Sequence, residues 1–532
     1  MCAERSILWV VGSLCSIVVL GVSLFINSPL SAQTVAQQIQ SPSSPAARSI
    51  EFHEELIAQV PAGSQIEDFA TAGSRVAWEE KKGKTCIVQL DGKQQGGTFE
   101  RIERLHFNTD GTHLAFFGKR DGKWIFVLDG QERAAGYTFQ TEIVYQPQGS
   151  SFAYSACVEK KKCRLVVDGK ETGAEYEDIS YPQYSADGKR LAYFAKRNGK
   201  WMAVIDGKET GPELVSVDFA DWGFSSRANR FYAAVMPTHS GWTYLVDDAV
   251  GTPFQAISLI SFSADDAHFA YAGAESRGGL KKQAVTSTIV LDGQPGQSYE
   301  GSGLPGAWTM ALGVTENMVW GPHRLDPNFH GLSDPQFNSE GKLAYAVRRE
   351  KGDIVLMNGG QTGPSFDDLA STVVFTEDRK HFAYIARHGS DFVEVRDNQP
   401  GKTFSMDSKS ETIGQVSLSP DGTHFAFETV RGGRDYFARQ TTRARRTIIL
   451  DGQPGTEYNA LGALIVRFSK DGRISFYQVF GADGNRVLTV IDGQESKHYD
   501  GQTFAGFAPD DKSLTFLAQD SLRLLRITAA LP

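Results

Sequence analysis

The sequence predicts an all-β protein, a β-propeller of repeated four-stranded antiparallel blades, and three observations support this prediction. First, a VLDG-like segment recurs about every 40 residues, a typical blade period. Second, an Asp-Gly or similar pair precedes most copies. Third, alternating apolar runs such as RLAYFAK follow that pair, as expected of strands. The aspartates of the VLDG segment are Asp91, Asp129, Asp168, Asp206, Asp247, Asp292, Asp451 and Asp492, with Asn358 and Asp397 in two degenerate copies.

One copy, residues 181–217, shows how the pattern specifies a blade. It reads YPQYSADGKRLAYFAKRNGKWMAVIDGKETGPELVSV, with Asp187-Gly188, Asn198-Gly199 and Asp206-Gly207 between apolar segments. Glycine tolerates positive φ, and Asp or Asn can bond its own backbone, so these pairs favour hairpin turns. Three turns in about 40 residues give four antiparallel strands. A β-sandwich would also alternate strands and turns, but not at a fixed period.

Eleven units of this kind are predicted. Propellers usually have about 4–8 blades, so eleven units favour two rings, with one large ring as the alternative. The proposed division is residues 49–301 as units one to six, 302–334 as an inter-blade insertion, and 335–532 as units seven to eleven. The last unit has only three strands, so we expect the stretch near Ser49 to Ile57 to supply a closing strand.

The N-terminal region is predicted to lie outside the propeller. Residues 7–25 form one apolar run preceded by Arg5, and no Lys or Arg follows until Arg48. We interpret residues 1–32 as a signal peptide or, alternatively, a membrane anchor, and residues 33–48 as a flexible linker. The positive charge of Arg5 before the apolar run predicts that the amino terminus lies on the cytoplasmic side of the membrane and the body of the protein on the other side. Both interpretations export the protein, to a periplasmic or secreted location.

Composition and cysteine positions agree with an exported globular protein. The chain has 41% hydrophobic residues and a net charge of −9, which disfavours disorder and a general nucleic-acid binder. Cys157 and Cys163 flank Val-Glu-Lys-Lys-Lys, where a hairpin would bring them opposite each other. A cross-strand disulfide is expected there, with two free thiols as the alternative. Cys86 stands alone in an apolar run and is expected to be a buried small hydrophobe.

One motif also resembles a known family. The pattern S-x-D-G-K-x-[LF]-A-[YF], present as SADGKRLAYFA and SPDGTHFAFET, resembles the WD40-like (PD40) repeats of bacterial TolB-type proteins. This resemblance spans residues 66–532 and implies a periplasmic propeller that binds protein partners. The chain departs from TolB in lacking room for its separate N-terminal domain and in its recurrent VLDG turn. The particular partners of TolB therefore do not transfer.

Motifs that would indicate catalysis or a cofactor are missing. The sequence has no G-x-S-x-G elbow, no phosphate loop and no Cys-x-x-Cys. His53-Glu54-Glu55 begins like a zinc helix, but Ile57 stands where the second His would be. The Asp-Gly pairs lack the ligand density of a calcium loop, and turn chemistry explains them. We therefore predict a non-enzymatic protein without cofactor or metal.

Variable loops are predicted to gather on one face of the ring. The second turn of each blade lies on the face opposite both Asp-Gly turns, and insertions occur there at 274–287 and 429–446, with 302–334 between blades. Loops on a rigid scaffold commonly carry binding sites. The loop RGGRDYFARQTTRARR supplies the candidate binding residues Arg431, Arg434, Arg439, Arg443, Arg445 and Arg446. Arg side chains suit carboxylate and phosphate groups.

Lysines extend the same basic face, with simple solvation of hairpin tips as the alternative interpretation. The tips carry Lys81-Lys82-Gly83-Lys84, Lys119-Arg120-Asp121-Gly122-Lys123, Lys160-Lys161-Lys162, Lys196-Arg197-Asn198-Gly199-Lys200, Lys281-Lys282 and Arg348-Arg349. In the insertion, Trp308, Trp320 and His323 are further binding candidates. His323, Asp326 and His330 could ligate a metal, but no recognised spacing supports this and a packed lid is favoured.

Recurrent strand aromatics have two interpretations. Stacking on sugars is the functional one, and packing between blades is favoured because the residues occupy a regular position in each repeat. The residues concerned are Tyr154, Tyr193, Trp201, Tyr271, Tyr345 and Tyr384.

The predicted function is an exported binding or scaffold protein that presents a basic, loop-bearing face to a protein or an anionic envelope polymer. We expect no nucleic-acid partner. We expect the protein to contact a membrane only through its N-terminal segment. The alternative is a propeller-type glycan-active hydrolase or lyase, with Asp218 and Asp221 as first candidates for the required carboxylates. A pure structural spacer is the third possibility.

Overall fold

The computed structural model describes residues 50–531, except 278–283, 303–334, 349–353, 408–409, 433–443, 482–485 and positions 504 and 509. Regular secondary structure in these residues consists of strands, and they contain no helix. The first strand, β1 (Phe52–Gln59), precedes eleven antiparallel repeats in the described residues, which form ten sheets because the ninth and tenth repeats share one. The predicted all-β propeller class is confirmed.

The first five repeats, blades I to V, each pair their strands in chain order. In blades III and IV the first strand is split into two short pieces that both pair with the next strand. Blade I contains β2 (Ser64–Ala72), β3 (Arg75–Lys82), β4 (Thr85–Leu90) and β5 (Lys93–Phe99); blade II β6 (Arg101–Phe107), β7 (Leu114–Arg120), β8 (Lys123–Leu128) and β9 (Gln131–Tyr137); blade III β10 (Phe139–Gln140), β11 (Val144–Tyr145), β12 (Phe152–Glu159), β13 (Lys162–Val167) and β14 (Lys170–Tyr176); blade IV β15 (Asp178–Ile179), β16 (Gln183–Tyr184), β17 (Leu191–Arg197), β18 (Lys200–Ile205) and β19 (Lys208–Leu214); and blade V β20 (Ser216–Phe224), β21 (Phe231–Thr238), β22 (Gly241–Val246) and β23 (Ala249–Val250).

Blades VI to XI follow the same plan, and blades IX and X join where the end of β41 pairs with β43. Blade VI contains β24 (Ala256–Ile257), β25 (Ser261–Phe262), β26 (Phe269–Arg277), β27 (Ala284–Leu291) and β28 (Gln294–Ser302); blade VII β29 (Gln336–Phe337), β30 (Leu343–Arg348), β31 (Ile354–Asn358) and β32 (Gln361–Phe366); blade VIII β33 (Asp368–Leu369), β34 (Val374–Phe375), β35 (Phe382–His388), β36 (Asp391–Arg396) and β37 (Gln399–Ser405); blade IX β38 (Glu411–Leu418), β39 (Phe425–Arg431), β40 (Ala444–Leu450) and β41 (Gln453–Leu461); blade X β42 (Arg467–Phe468), β43 (Ser475–Gly481), β44 (Val487–Ile491) and β45 (Gln494–Glu495); and blade XI β46 (Gly501–Gln502), β47 (Gly506–Phe507), β48 (Ser513–Asp520) and β49 (Arg523–Ala530), with β1 as its outer strand.

The aspartate of the VLDG turn, which is the third turn of a blade, is bonded to the strand that follows the first turn. Asp91 adopts a φ of 48°, and its Oδ1 accepts the N–H of Val76 at 2.9 Å. Val76 lies near the start of the strand that follows the first turn, so both turns lie on one face, as predicted. We call this the turn face, and the face bearing the second turns and inter-blade links the loop face. The same bond is made by Asp129, Asp168, Asp206, Asp247, Asp292, Asp397, Asp451 and Asp492.

Apolar clusters join each blade to the next. Between blades I and II, for example, Val88 and Phe116 are fully buried. Such clusters continue through blades II to XI, and a further one joins blade XI to blade I through Leu524 and Trp78. Tyr154 and Tyr384 are fully buried in these clusters, so the strand aromatics at these positions pack between blades. Burial of this kind is the main stabilising contribution to the array.

The order of packing bears on the ring number. Rings of six and five blades would pack blade VI on blade I, and blade XI on blade VII. In the described residues, Ala272 and Val285 of blade VI instead pack with Val355 of blade VII. Blade XI packs on blade I, so the observed order favours the alternative of one large ring over two. The ring number itself stays a prediction.

Strand β1 completes the last blade. It pairs antiparallel with β49, from Phe52 opposite Ala529 to Gln59 opposite Arg523. The expectation that a stretch near Ser49 to Ile57 supplies a closing strand is confirmed. The first and last strands of the described residues therefore belong to one sheet.

The hairpin of β12 and β13 carries a disulfide. Cys157 lies directly opposite Cys163 in the strand register, and a disulfide bond joins them. The five residues between them are thereby closed into a short covalent loop on the loop face. Cys86 is a buried free thiol in blade I, where burial raises its pKa to about 12. This high pKa makes Cys86 a poor nucleophile at neutral pH.

Candidate functional site

The loop face carries the long hairpins. Strands β26 and β27 pair over eight positions, from Ala270–Leu291 to Arg277–Ala284. Strands β39 and β40 likewise lead to the loop face in blade IX. The hairpin tips at 278–283 and 433–443, and the insertion at 303–334, lie outside the described residues. Trp308, Trp320, His323, Asp326 and His330 fall there, as do Arg434, Arg439 and Arg443 of the Arg-rich loop.

Arg446 does not lie on the surface of the loop face, in contrast to the sequence-based expectation. Its side chain is 1% exposed and forms an ion pair of 2.9 Å with Glu428, which is buried to the same extent. Glu428 also accepts the N–H of Leu464 in blade X at 2.9 Å. Arg446 pairs with Val430 in the interior of the sheet, where it cannot reach a ligand in solution. The ion pair of Arg446 with Glu428 therefore stabilises the junction of blades IX and X.

The other two described arginines of this loop are paired with carboxylates. The Arg431 guanidinium contacts Glu411, with Nε at 2.7 Å, and reaches Glu457 at 3.6 Å. Arg445 contacts Glu457 at 3.1 Å. Both side chains remain more than half exposed, so these pairs contribute little to stability. The local positive charge is nevertheless largely compensated by the two glutamates.

Several cations of the hairpin tips are engaged in packing. Arg120 forms a fork with Glu132 at 2.7 and 3.1 Å and lies over the ring of Phe99 in the preceding blade. Arg197 repeats this arrangement two blades further on, with Glu209 and Tyr176. These arginines join neighbouring blades. The sequence pattern alone could not separate them from cations available to a ligand, because both types occupy the same hairpins.

Five lysines remain as exposed cations on the loop face of three consecutive blades. No ion pair engages their ammonium groups within the part of the chain that the structure describes, whereas Lys81 and Lys162 pair with Glu67 and Glu159. We call these five residues the lysine patch. It consists of Lys82 and Lys84 in blade I, Lys123 in blade II, and Lys160 and Lys161 in blade III.

The proposed catalytic carboxylates of blade V are buried in the sheet. Asp221 is 9% exposed and accepts a hydrogen bond from the Tyr244 hydroxyl. That hydroxyl also accepts the N–H of Ile260 in blade VI at 3.1 Å. Asp218 is 5% exposed and accepts the N–H of Ala220. These contacts give Asp221 a structural role at the junction of blades V and VI.

A second carboxylate pair, which the motif search did not find, lies in blade I. Asp68 and Glu79 are opposite each other in the register of β2 and β3. Burial raises the pKa of each carboxyl to about 6. Glu79 lies on the side of the sheet that bears Cys86, which forms part of the seam with blade II. Neither residue stands in a recognisable motif, since proximity depends on strand register.

The turn face carries repeated His-Asp pairs. The Nδ1 atom of His268 lies 2.7 Å from Asp292, the aspartate of the same blade's VLDG turn. The same pair occurs at His113–Asp129, His381–Asp397 and His424–Asp451. Arg75, Arg190 and Arg230 occupy the equivalent position in blades I, IV and V. The pairs therefore fix the turn to the start of the second strand, and a cation at this position is a recurrent feature.

The His268–Asp292 pair predicts a pH effect on stability. The hydrogen bond that the His268 ring donates to the Asp292 carboxylate raises the pKa of His268 above its unfolded value. Its stabilisation is therefore fully present below about pH 6.5 and is lost as pH rises through the folded pKa. We expect a His268→Gln variant to lose melting temperature relative to wild type at pH 6 and much less at pH 9. His268→Arg should keep the pair at both pH values, and an equal loss for His268→Gln at both would contradict the assignment.

Within the described residues, no group of three or more His, Cys, Asp or Glu side chains is arranged to hold a metal ion. The same part of the chain contains no helix long and apolar enough to cross a membrane. The candidate metal ligands His323, Asp326 and His330 lie outside that part.

Comparison with solved structures found the following similarities. The chain is similar to the Dos1 propeller, with 13% identity, 66% of this chain and 92% of that chain covered, and a TM-score of 0.32. It is similar to the propeller domain of Cps50 (Swd1) from Myceliophteria thermophila, with 11% identity, coverage of 66% and 95%, and a TM-score of 0.25. It is also similar to an oligogalacturonate lyase in complex with manganese, with 11% identity, coverage of 74% and 98%, and a TM-score of 0.28.

These neighbours include an enzyme and propeller domains, and similarity at this level says nothing about activity. No protein-family model matches the chain, and no curated protein matches it. The repeated antiparallel sheets of the fold define the class as the β-propeller.

Proposed function

We propose that the protein is an exported, non-catalytic β-propeller that binds a protein or an anionic envelope polymer through its loop face. The observation that carries this proposal is the lysine patch. Its ammonium groups are exposed on three adjacent blades, while the neighbouring arginines are held by glutamates or aromatic rings. Such a patch attracts anionic partners over long range, even in a chain of net charge −9.

Export and the kind of partner rest on the sequence. The apolar run at residues 7–25 supports a signal peptide or an uncleaved anchor, and the disulfide between Cys157 and Cys163 suits an oxidising compartment. The resemblance of SADGKRLAYFA to the repeats of TolB-type proteins supports a periplasmic role in protein binding. We place the protein in the periplasm or outside the cell on these grounds.

Capture from a solubilised envelope extract tests the proposal. Residues 49–532 serve as bait, beside a variant in which the five residues of the lysine patch are changed to Gln. We expect the variant to recover roughly tenfold less partner at low salt, because long-range attraction and charge-assisted contacts are both removed. High salt should reduce recovery by the wild type.

A control variant on the opposite face separates location from net charge. It changes five exposed turn-face lysines to Gln, namely Lys170, Lys189, Lys208, Lys342 and Lys380. This variant loses the same charge and should capture as wild type does. Equal capture by all three proteins would show that the binding site is not the lysine patch. Loss of capture in both variants would show that the net charge of the protein, and not the position of the lysines, determines binding.

The glycan-active alternative has a direct test of its own. The Asp218→Asn, Asp221→Asn double variant would abolish turnover of an envelope glycan in an enzyme and leave capture by the loop face unchanged in a binder. The hydrogen bond that buried Asp221 accepts from the Tyr244 hydroxyl favours the structural interpretation.

A further inference from the structure

The point at which the N-terminal segment enters the propeller can be located. Strand β48 starts after the turn at Asp510-Asp511 on the turn face, and β49 returns to that face at Ala530. Because Phe52 is opposite Ala529, β1 begins on the turn face and ends at Gln59 on the loop face. The N–H of Ile50 donates to Gln494, which follows the VLDG turn of blade X, at 2.8 Å. The segment preceding residue 50 therefore joins the body on the turn face.

We infer that the N-terminal segment tethers the propeller by its turn face, so that the loop face and its lysine patch point away from the anchoring bilayer. This inference rests on the proposed export with residues 7–25 as a membrane anchor. In this orientation the lysine patch faces the aqueous space on the side of the protein away from the anchoring bilayer. Its partner would therefore lie in that space and would not be the lipid of the bilayer.

Chain length supports this orientation. A flexible linker such as that expected for residues 33–48 has a root-mean-square span of roughly 22 Å. A strand of seven residues, such as β17, rises about 3.3 Å per residue, so the blades are roughly 20 Å high. Turning the loop face to the bilayer would require the linker to pass the full height of blade XI. That path uses about the whole root-mean-square span before any distance to the membrane is covered.

Electrostatic attraction favours the opposite orientation, in which the loop face lies against the bilayer. Anionic headgroups attract basic side chains within about one Debye length, so the lysine patch could in principle dock on the anchoring bilayer. The two arrangements place opposite faces next to the lipid, and a distance measurement separates them.

The test uses the full chain synthesised cell-free into nanodiscs, where no signal peptidase removes the anchor. With Cys2 and Cys15 changed to Ala, a donor dye is attached at Lys380→Cys on the turn face or at Ser390→Cys on the loop face. Both positions are exposed and belong to blade VIII, which matches their distance from the ring axis. Acceptor dyes sit on lipid headgroups, in phosphatidylcholine alone or with a third of phosphatidylglycerol.

We expect energy transfer from position 380 to exceed that from position 390 by about twofold or more in both lipids, since the blade height separates them. Equal transfer, or stronger transfer from position 390, would overturn the inference. A reversal only with phosphatidylglycerol would show docking of the lysine patch on lipid and would also overturn it. The measurement needs no partner, so its failure is distinct from failure of the capture experiment.

Discussion

Replacing Glu428 by Ala is expected to lower the free energy of unfolding by about 3–5 kcal/mol, because it leaves the Arg446 guanidinium charged and buried without its partner. Both side chains are 1% exposed, so water cannot replace the lost carboxylate. The N–H of Leu464 would also lose its acceptor, which weakens the junction of blades IX and X. Urea denaturation followed by tryptophan fluorescence measures the change.

Two further variants separate this effect from ordinary loss of a charge. Glu457→Ala removes the carboxylate beside the exposed Arg445 and should cost less than about 1 kcal/mol. Glu428→Gln with Arg446→Met removes both buried charges and should recover much of the stability lost in Glu428→Ala. A loss for Glu428→Ala no larger than that for Glu457→Ala would contradict the buried pair.

Deleting residues 50–60 is expected to have a comparably large effect. It removes β1, leaves the edge of β49 unpaired, and exposes part of the cluster that joins blade XI to blade I. An open edge with apolar side chains is also prone to aggregation. We expect a loss of several kcal/mol in unfolding free energy and a shift to higher oligomers in size-exclusion chromatography.

Two controls apply to the closing strand. Deleting residues 33–48 changes the predicted linker and should leave stability unchanged. A synthetic peptide of residues 49–61 added to the shortened protein should restore part of the lost stability if β1 pairs as described. Unchanged stability after deletion of residues 50–60 would show that β49 does not need this partner.

The sequence predicted the fold well because the blade pattern is local. Most VLDG turns place Asp and Gly at positions that need positive φ, and the alternating run after the preceding Asp-Gly pair gives the second strand. The hydrogen bond that Asp91 accepts from the N–H of Val76 explains why the aspartate recurs even where Gly alone would permit the turn. Closure by β1 could also be predicted, since the last repeat lacks one strand.

The candidate site was predicted less completely, because its charges depend on contacts distant in sequence. Arg446 and Arg431 are close in the chain, yet one is buried beside Glu428 and the other is half exposed. Arg120 belongs to a basic hairpin, and its position over Phe99 follows from the packing of two blades. The apposition of Asp68 and Glu79 needs the register of β2 and β3. Contacts of this kind between distant residues cannot be recognised from a short sequence motif.

The sequence also favoured two rings from the number of units alone. The insertion at 302–334 suggested a boundary, but blades VI and VII pack through Ala272 and Val355 on either side of it. A long insertion between two blades therefore does not prevent those blades from packing on each other, and it does not by itself indicate a boundary between rings.

The central claim is that the loop face, through the lysine patch, is the surface that binds anions. It is tested most directly by the association rate of residues 49–532 with immobilised poly-L-glutamate over a salt series. We predict that the lysine-patch variant associates about tenfold more slowly at low salt and shows a shallower salt dependence, while the turn-face control behaves as wild type. Equal rates for the two variants would contradict the claim, because the same charge would then act from either face.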